Sequence, residues 1–248
     1  MNIKIEKVKL TSGGSQMEAF VAFPDGGGAH PAVIVIEEIF GVNAHIRDVT
    51  ERVAREGYVA IAPDVHHRAA PAGFEYPYNQ EGMQKGMQLI QKLTAHGFDE
   101  DVNATLAYLK SRKDVKSDRL GVMGFCIGGH LAFLAAATHP FAAAASFYGG
   151  GIASFSPGGG APTVEKAGNI KGRILCFFGD KDPMIPKEHV DKIKHALEQH
   201  HVKHEVHVYP GASHAFFCDV KERGSYVPAA AEDAWKRTKQ LFHDVLQK

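Results

Sequence analysis

Segment 121–130, Gly-Val-Met-Gly-Phe-Cys-Ile-Gly-Gly-His, constrains the fold of this 248-residue chain more than any other stretch. It begins like an apolar strand and continues like a helix of small residues, with Cys126 at the junction. Gly124 stands two positions before the cysteine and Gly128 two positions after it. A sharp strand-to-helix turn of this kind pushes one side chain out above the sheet and leaves no room for a Cβ nearby. The pattern therefore predicts an α/β fold that presents a nucleophile at the edge of its sheet.

Strand and helix patterns alternate along the whole chain. Strands are predicted over 3–10, 17–23, 32–37, 58–62, 120–125, 142–148, 173–179 and 204–209. Helices are predicted over 47–56, 81–110 with a break near Gly97, 127–138, 186–200 and 229–247. This alternation favours an α/β class with a mostly parallel central sheet of about eight strands and helices on both faces. We expect residues 1–248 to form one domain, because no break in composition divides them.

The composition narrows the class of protein further. Lys and Arg total 28 and Asp and Glu total 28, so the balanced charge favours neither nucleic acid nor an anionic membrane surface as a partner. No apolar run is long enough to cross a bilayer, and three irregularly spaced cysteines do not form a disulfide framework. We expect a cytoplasmic protein, monomeric or a small homo-oligomer, that acts on a small molecule.

Cys126 needs activation if it is to act as a nucleophile, because a free thiol is mostly protonated at pH 7. The helix that begins after it offers a positive dipole end and free N–H groups. A histidine could also take the thiol proton. A free cysteine is otherwise commonly a small buried hydrophobe, but the strand–turn–helix context favours the nucleophile here.

Two later strand ends offer an acid and a base. Segment 178–186 supplies Asp180 and Asp182, and segment 209–217 supplies His214. Nucleophile, acid and then histidine is the chain order of α/β-hydrolases, in which the acid holds the imidazole in one tautomer. We assign that role to Asp182 and interpret Asp180 as a turn residue. The alternative for His214, one of fifteen histidines, is an ordinary surface loop position.

Together these residues resemble the dienelactone hydrolase family (carboxymethylenebutenolidases) of the α/β-hydrolase fold, over nearly the whole chain. The motifs that carry the resemblance are Glu37-Glu-Ile-Phe-Gly-Val-Asn43, Pro63-Asp64, Gly124-Phe-Cys-Ile-Gly-Gly129, Asp182-Pro-Met-Ile-Pro186 and Gly211-Ala-Ser-His-Ala-Phe216. The resemblance implies hydrolysis of carboxylic esters or lactones through a thioester acyl-enzyme. It implies Cys126 as nucleophile, His214 as base and Asp182 as orienting acid, with no metal or organic cofactor.

The resemblance also assigns a second carboxylate to the site. The family uses the glutamate of its Glu-Ile-Phe-Gly motif, which is Glu38 here, to hold the resting thiol. An oxyanion hole needs two N–H groups, and Ile127, the residue after the nucleophile, supplies one in this fold. The other is expected from the loop after the third strand, at Ile39.

The expected substrate pocket departs from the family pattern. Family members that act on dienelactone bind its carboxylate with arginines, but the position four residues after the histidine is Cys218 here. No arginine occurs between Arg68 and Arg112, so Arg68 or Lys85 would have to substitute. We therefore expect a neutral or differently charged ester or lactone. The residues predicted to line the pocket are Arg68, Phe147, Tyr148, Phe216 and Cys218.

Two other functions fit the same residues. The site could hydrolyse activated phosphoesters or peptide-like substrates, which a panel of nitrophenyl compounds would separate from carboxylic esters. Alternatively, the chain could be a non-enzymatic protein that binds ligands or senses oxidants through a reactive thiol. The histidine-rich segment 200–207 is interpreted as a solvated edge and not as a metal site, because its residues span a helix end and a strand start.

Overall fold

The computed structural model describes residues 1–248, whose strands assemble into one eight-stranded sheet. The strands are β1 (Ile3–Ser12), β2 (Ser15–Pro24), β3 (His30–Ile36), β4 (Val59–Pro63), β5 (Val115–Phe125), β6 (Ala143–Phe147), β7 (Arg173–Gly179) and β8 (His204–Tyr209). Their order across the sheet is β1-β2-β4-β3-β5-β6-β7-β8. The strands from β3 to β8 run parallel to one another, while β2 pairs antiparallel with β1 and β4. The predicted α/β class with a mostly parallel sheet of about eight strands is confirmed.

Burial explains why the central strands were recognisable from sequence. Every residue of β4 and β6 is buried, as are all residues of β3 and β7 except the first of each. Strands that are covered on both faces are nearly continuous apolar runs, and that is the pattern these segments show. β8 lies at the sheet edge and is only partly buried, so the histidines of segment 200–207 do lie along an edge.

Six α-helices connect or flank the strands. They are α1 (Ala44–Arg55), α2 (Gln80–Ile90), α3 (Ala95–Ser111), α4 (Ile127–Thr138), α5 (Lys187–Gln199) and α6 (Pro228–Phe242). None of them combines the length and the apolar character that crossing a lipid bilayer requires.

The structure refines the bounds of two predicted helices. The break predicted near Gly97 in the 81–110 pattern falls at residues 91–94. Thr94 begins α3, because its hydroxyl accepts a hydrogen bond from the Gly97 N–H at 3.0 Å, which makes it an N-cap. At the chain end, α6 stops at Phe242 and the last turn, His243–Gln247, is π-helical.

The buried His66 makes stability depend on pH. Burial lowers the pKa of His66 to about 4, and neither ring nitrogen has a hydrogen-bond partner. Because the unfolded state binds a proton near pH 6.5 and the folded state does not, this histidine reduces stability as the pH falls from 6.5 towards 4.

We therefore expect the stability of the wild-type protein to fall relative to that of His66→Leu by about 2 kcal/mol between pH 7 and pH 5. The two proteins should be compared by urea denaturation at both pH values. The difference between two proteins isolates His66 from the other titrating groups. A stability difference that does not change with pH would contradict this account.

Candidate active site

Four buried polar side chains follow the carboxyl ends of parallel strands. Glu38 comes two residues after β3, Cys126 directly after β5, Asp182 after β7 and His214 after β8. The exposed fraction of these residues is 1%, 6%, 6% and 9%, respectively. Parallel strands end at the same edge of a sheet, which is where open α/β sheets bind ligands.

The backbone at Cys126 is held in a conformation that non-glycine residues rarely adopt. Its φ is 56° and its ψ is −121°, so the residue lies on a strained turn between β5 and α4. A Cβ on Gly124 would lie 2.1 Å from the Gly128 carbonyl oxygen, and one on Gly128 would lie 2.3 Å from the Glu37 carbonyl oxygen. The helix start therefore touches the neighbouring backbone, and only glycine fits at both positions. This contact is the physical reason for the Gly-x-Cys-x-Gly pattern.

His214 is oriented by Asp182. The His214 Nδ1 lies 2.7 Å from Asp182 Oδ2, and the second carboxylate oxygen of Asp182 accepts from the Met184 N–H at 2.8 Å. Asp180 instead accepts from the Gly211 N–H at 2.6 Å, so it secures the turn and does not touch the histidine. With Nδ1–H donating to Asp182, Nε2 is the nitrogen left to act on another group, and it has no hydrogen-bond partner.

The pKa of His214 depends on the charge of Cys126. Burial lowers the pKa of His214, but a thiolate at Cys126 and the hydrogen bond to Asp182 outweigh burial and raise that pKa well above its ordinary value. The imidazole is therefore a good proton acceptor when Cys126 loses its proton. Such a thiolate–imidazolium pair is the form in which a cysteine is most nucleophilic.

The adjacent residues Glu37 and Glu38 have different surroundings. Glu37 Oε1 accepts from the Val65 N–H at 2.9 Å, and burial together with the charge of Asp64 raises the pKa of Glu37 well above its usual range. Both carboxylate oxygens of Glu38 are buried and have no hydrogen-bond partner. Burial, and after it the charge of Glu38, raises the pKa of Tyr148 and of Cys218. Glu38 does not bond to the Cys126 sulfur in this structure.

Backbone donors are available beside the thiol. The Ile39 N–H, in the loop after β3, makes no hydrogen bond to any other group. Ile127 is the first residue of α4, whose initial N–H groups have no partner within the helix. Both predicted positions therefore offer a free donor on segments that flank the site.

The predicted pocket residues do not all lie in one place. Tyr148 is fully buried, with its ring edge-on to the His214 ring at 5.2 Å and to the Phe216 ring at 5.3 Å. The Cys218 sulfur donates to the Tyr78 hydroxyl at 3.8 Å, and burial raises the pKa of Cys218 to about 11. Phe147 is in the core of β6, in an aromatic cluster with other sheet residues.

Arg68, which was predicted to line the pocket, is already paired with carboxylates in this structure. Its guanidinium donates to Asp101 at 2.7 Å and to Glu100 at 3.1 Å, so two carboxylates already neutralise it. Lys85 is likewise paired, with Glu81 at 2.6 Å, on an exposed helix face. Neither is available to bind an anionic substrate.

Arg223 is a charged residue that the sequence patterns did not indicate as part of the pocket. The other eight arginines each lie within 4.0 Å of a carboxylate, whereas Arg223 has no such partner. Its guanidinium lies over the rings of Phe40, at 5.1 Å, and Tyr78, at 5.6 Å. Its Nε is buried without a hydrogen-bond partner. The signal in the sequence is weak, because Arg223 stands nine residues after His214 and belongs to no motif quoted above.

Arg223 borders an open pocket of about 290 Å³ that also contains Tyr78, the hydrogen-bond partner of Cys218. The pocket is lined by Phe40, Tyr78, Asn79, Gln80, Met83 and Arg223. The charge of Arg223 acts to lower the pKa values of Tyr148 and Cys218, against the effect of burial. The pocket therefore combines an apolar wall with one unpaired positive charge. The structure brings together no group of three His, Cys, Asp or Glu side chains that could hold a metal ion.

Comparison with known proteins agrees with this architecture. The family model for the dienelactone hydrolase family matches residues 17–246. A candidate carboxymethylenebutenolidase from Synechocystis is 44% identical over all of this chain and 99% of its own. A candidate 2-oxo-3-(5-oxofuran-2-ylidene)propanoate lactonase from Bradyrhizobium is 32% identical over 95% of this chain and 92% of its own.

A solved structure shows the same relationship. The crystal structure of a candidate dienelactone hydrolase from Klebsiella pneumoniae is 33% identical, covers 98% of this chain and 99% of its own, and superposes with a TM-score of 0.86. These matches confirm the resemblance drawn from the motifs. The chain belongs to the dienelactone hydrolase family and is a hydrolase of the carboxymethylenebutenolidase type.

Proposed function

We propose that this protein hydrolyses carboxylic esters or lactones with Cys126 as the nucleophile. The observation that supports this most strongly is the arrangement of His214, which bonds to Asp182 through Nδ1 while its pKa responds to Cys126. A nucleophile, a base and an orienting acid in that relation are the parts of a triad. A buried cysteine without a chemical role does not need a base or an orienting acid.

The steps follow from the positions of these groups. His214 Nε2 takes the thiol proton as Cys126 Sγ bonds to the carbonyl carbon. The N–H groups of Ile39 and Ile127 hold the oxygen that becomes negative. His214 then returns the proton to the leaving oxygen as its bond to carbon breaks, which leaves a thioester on Cys126. Water that gives its proton to His214 hydrolyses the thioester.

A substrate panel tests the class of reaction. The purified protein should be assayed on p-nitrophenyl acetate, p-nitrophenyl phosphate and an amino-acid p-nitroanilide at equal concentrations. We expect continuous turnover of the carboxylic ester and little turnover of the others. Faster hydrolysis of the phosphoester, or a single equivalent of thiol modification without turnover, would contradict the proposal.

Arg223 changes the expectation about the substrate. The expectation of a neutral or differently charged substrate rested on the lack of arginines at two family positions, and Arg223 brings a positive charge from a third. An unpaired guanidinium in a partly apolar pocket is suited to a carboxylate, which it can hold with charge-assisted hydrogen bonds. We therefore propose that preferred substrates carry a negative charge beside the ester or lactone. The substrate in the name of the Bradyrhizobium relative carries a propanoate group.

Arg223→Gln tests this preference with a matched pair of esters, p-nitrophenyl butyrate and the mono-p-nitrophenyl ester of succinate. Hydrogen bonds to charged groups contribute about 1.5–3 kcal/mol. The kcat/KM for the succinate ester, divided by that for the butyrate ester, should therefore fall about 10–100-fold in the variant. Arg237→Gln, a surface arginine paired with Asp233, is the control and should leave the ratio unchanged. An unchanged ratio in Arg223→Gln would show that Arg223 does not bind the substrate anion.

A further inference from the structure

Tyr148 is a buried residue whose hydroxyl has no hydrogen-bond partner. It follows β6 with a φ of 39°, which is unusual for a residue with a bulky side chain. None of its surface is exposed, and the hydroxyl oxygen makes no hydrogen bond. Buried polar groups are nearly always paired, and exceptions require an explanation. The left-handed backbone and the unpaired hydroxyl together indicate that the position of this side chain is maintained at a cost in stability.

The hydroxyl lies among the polar groups of the site without bonding to any of them. Burial, and then the charges of Glu38, Cys218 and Cys126, raise the pKa of Tyr148 well above its ordinary value, so the O–H group stays protonated. The two Glu38 oxygens and His214 Nε2 are also without partners. Four buried polar atoms of the residues grouped in the candidate site therefore lack a protein partner. A substrate oxygen bound here would give the Tyr148 O–H the acceptor that no protein group provides in this structure.

The position of the Tyr148 ring indicates which substrate oxygen accepts this hydrogen bond. An ester has two oxygens at the reacting carbon, and the carbonyl oxygen is provided for by the N–H groups of Ile39 and Ile127. The Tyr148 ring lies edge-on to the His214 ring at 5.2 Å. His214 must reach the leaving oxygen to protonate it, so Tyr148 is on the leaving-group side.

We propose that the Tyr148 hydroxyl donates a hydrogen bond to the leaving oxygen of the ester or lactone and stabilises the negative charge that develops there. The proposal rests on the proposed function of the site. As the carbon–oxygen bond breaks, its electron pair moves to the leaving oxygen, and the proton that neutralises it comes from His214. Tyr148 keeps its own proton throughout and acts only as a donor, so it is a catalytic residue that lies outside the motifs quoted above.

Tyr148→Phe tests the proposal through its dependence on the leaving group. The substrates are acetate esters with one acyl group and four alcohols of rising basicity: p-nitrophenol, phenol, trifluoroethanol and ethanol. The quantity compared is kcat/KM, which reports the acylation step. We expect the variant to lose about 10–100-fold on ethyl acetate and less than about threefold on p-nitrophenyl acetate, since a poor leaving group needs the hydrogen bond most.

The control is Tyr209→Phe, because the Tyr209 hydroxyl donates to Asp233 at 2.8 Å. If this variant slows hydrolysis, it should slow that of all four esters by the same factor. A uniform loss in Tyr148→Phe, or no loss, would overturn the proposal. Incorporation of 3-fluorotyrosine at position 148 gives a second measurement with little change in shape. Its more acidic hydroxyl is a stronger donor, so it should reduce the penalty for poor leaving groups, and an unchanged penalty would count against the proposal.

The two proposals fail in different ways. If Cys126→Ala keeps full activity, the proposed nucleophile is wrong, whatever Tyr148 does. If Cys126→Ala is inactive while Tyr148→Phe keeps the wild-type dependence on the leaving group, only the role of Tyr148 is wrong.

Discussion

Replacing Cys126 with alanine is expected to lower kcat/KM for p-nitrophenyl acetate by about 10⁴-fold or more. The thiol provides the atom that bonds to the substrate, and the remaining groups cannot form a covalent intermediate without it. The free N–H groups of Ile39 and Ile127 would still bind the carbonyl oxygen, so the residual rate should exceed that in water. The measurement is the initial rate of nitrophenol release at saturating and subsaturating ester.

The matched control is Cys176→Ala. Cys176 is fully buried in β7, and burial raises its pKa to about 12, so it should be chemically inert. Its replacement removes one buried sulfur and should change the rate by no more than a few-fold. Equal losses in the two variants would mean that Cys126 matters for packing and not for chemistry.

Replacing Gly128 with alanine should destabilise the protein by about 3 kcal/mol or more. The new Cβ would lie 2.3 Å from the Glu37 carbonyl oxygen and 2.5 Å from that of Ile36, and neither backbone atom can rotate away. The start of α4 would have to move off β3, and Cys126 would move with it. The expected result is a large fall in the free energy of unfolding together with a loss of esterase activity.

Gly150→Ala serves as the comparison. Gly150 has a φ outside the left-handed region, and the nearest atom to an added Cβ is Ile185 Cγ1 at 4.0 Å. This variant should be within about 0.5 kcal/mol of the wild-type stability. If Gly128→Ala were equally stable, the crowding at the turn would not be what requires glycine there.

The sheet and the reacting groups could be read from sequence because each leaves a local pattern. Buried parallel strands leave apolar runs, and the tight contact between β5 and α4 leaves Gly124 and Gly128 around Cys126. The order of Asp182 and His214 follows from strand ends that meet at one edge. These features depend on neighbours in the chain or on the regular geometry of a parallel sheet.

The other features depend on contacts between distant segments, which leave no local pattern. The choice between Arg68 and Arg223 required knowing which guanidinium is already paired, and Asp101 and Glu100 occupy that of Arg68. The start of α3 depends on the Thr94 side chain, which caps the helix by accepting a hydrogen bond from the Gly97 N–H. The unpaired hydroxyl of Tyr148 is likewise visible only when every group around it has been placed.

The central claim, that Cys126 bonds to the substrate carbonyl carbon, is tested most directly by trapping the intermediate. A p-nitrophenyl carbamate should transfer its carbamoyl group to the nucleophile, where the adduct hydrolyses slowly enough to be isolated. The protein is then digested and the modified peptide is located by mass spectrometry. We predict one carbamoyl group per chain, on the peptide that contains Cys126, and none in Cys126→Ala. A carbamoyl group on any other residue, in a protein that hydrolyses aryl esters, would contradict the account.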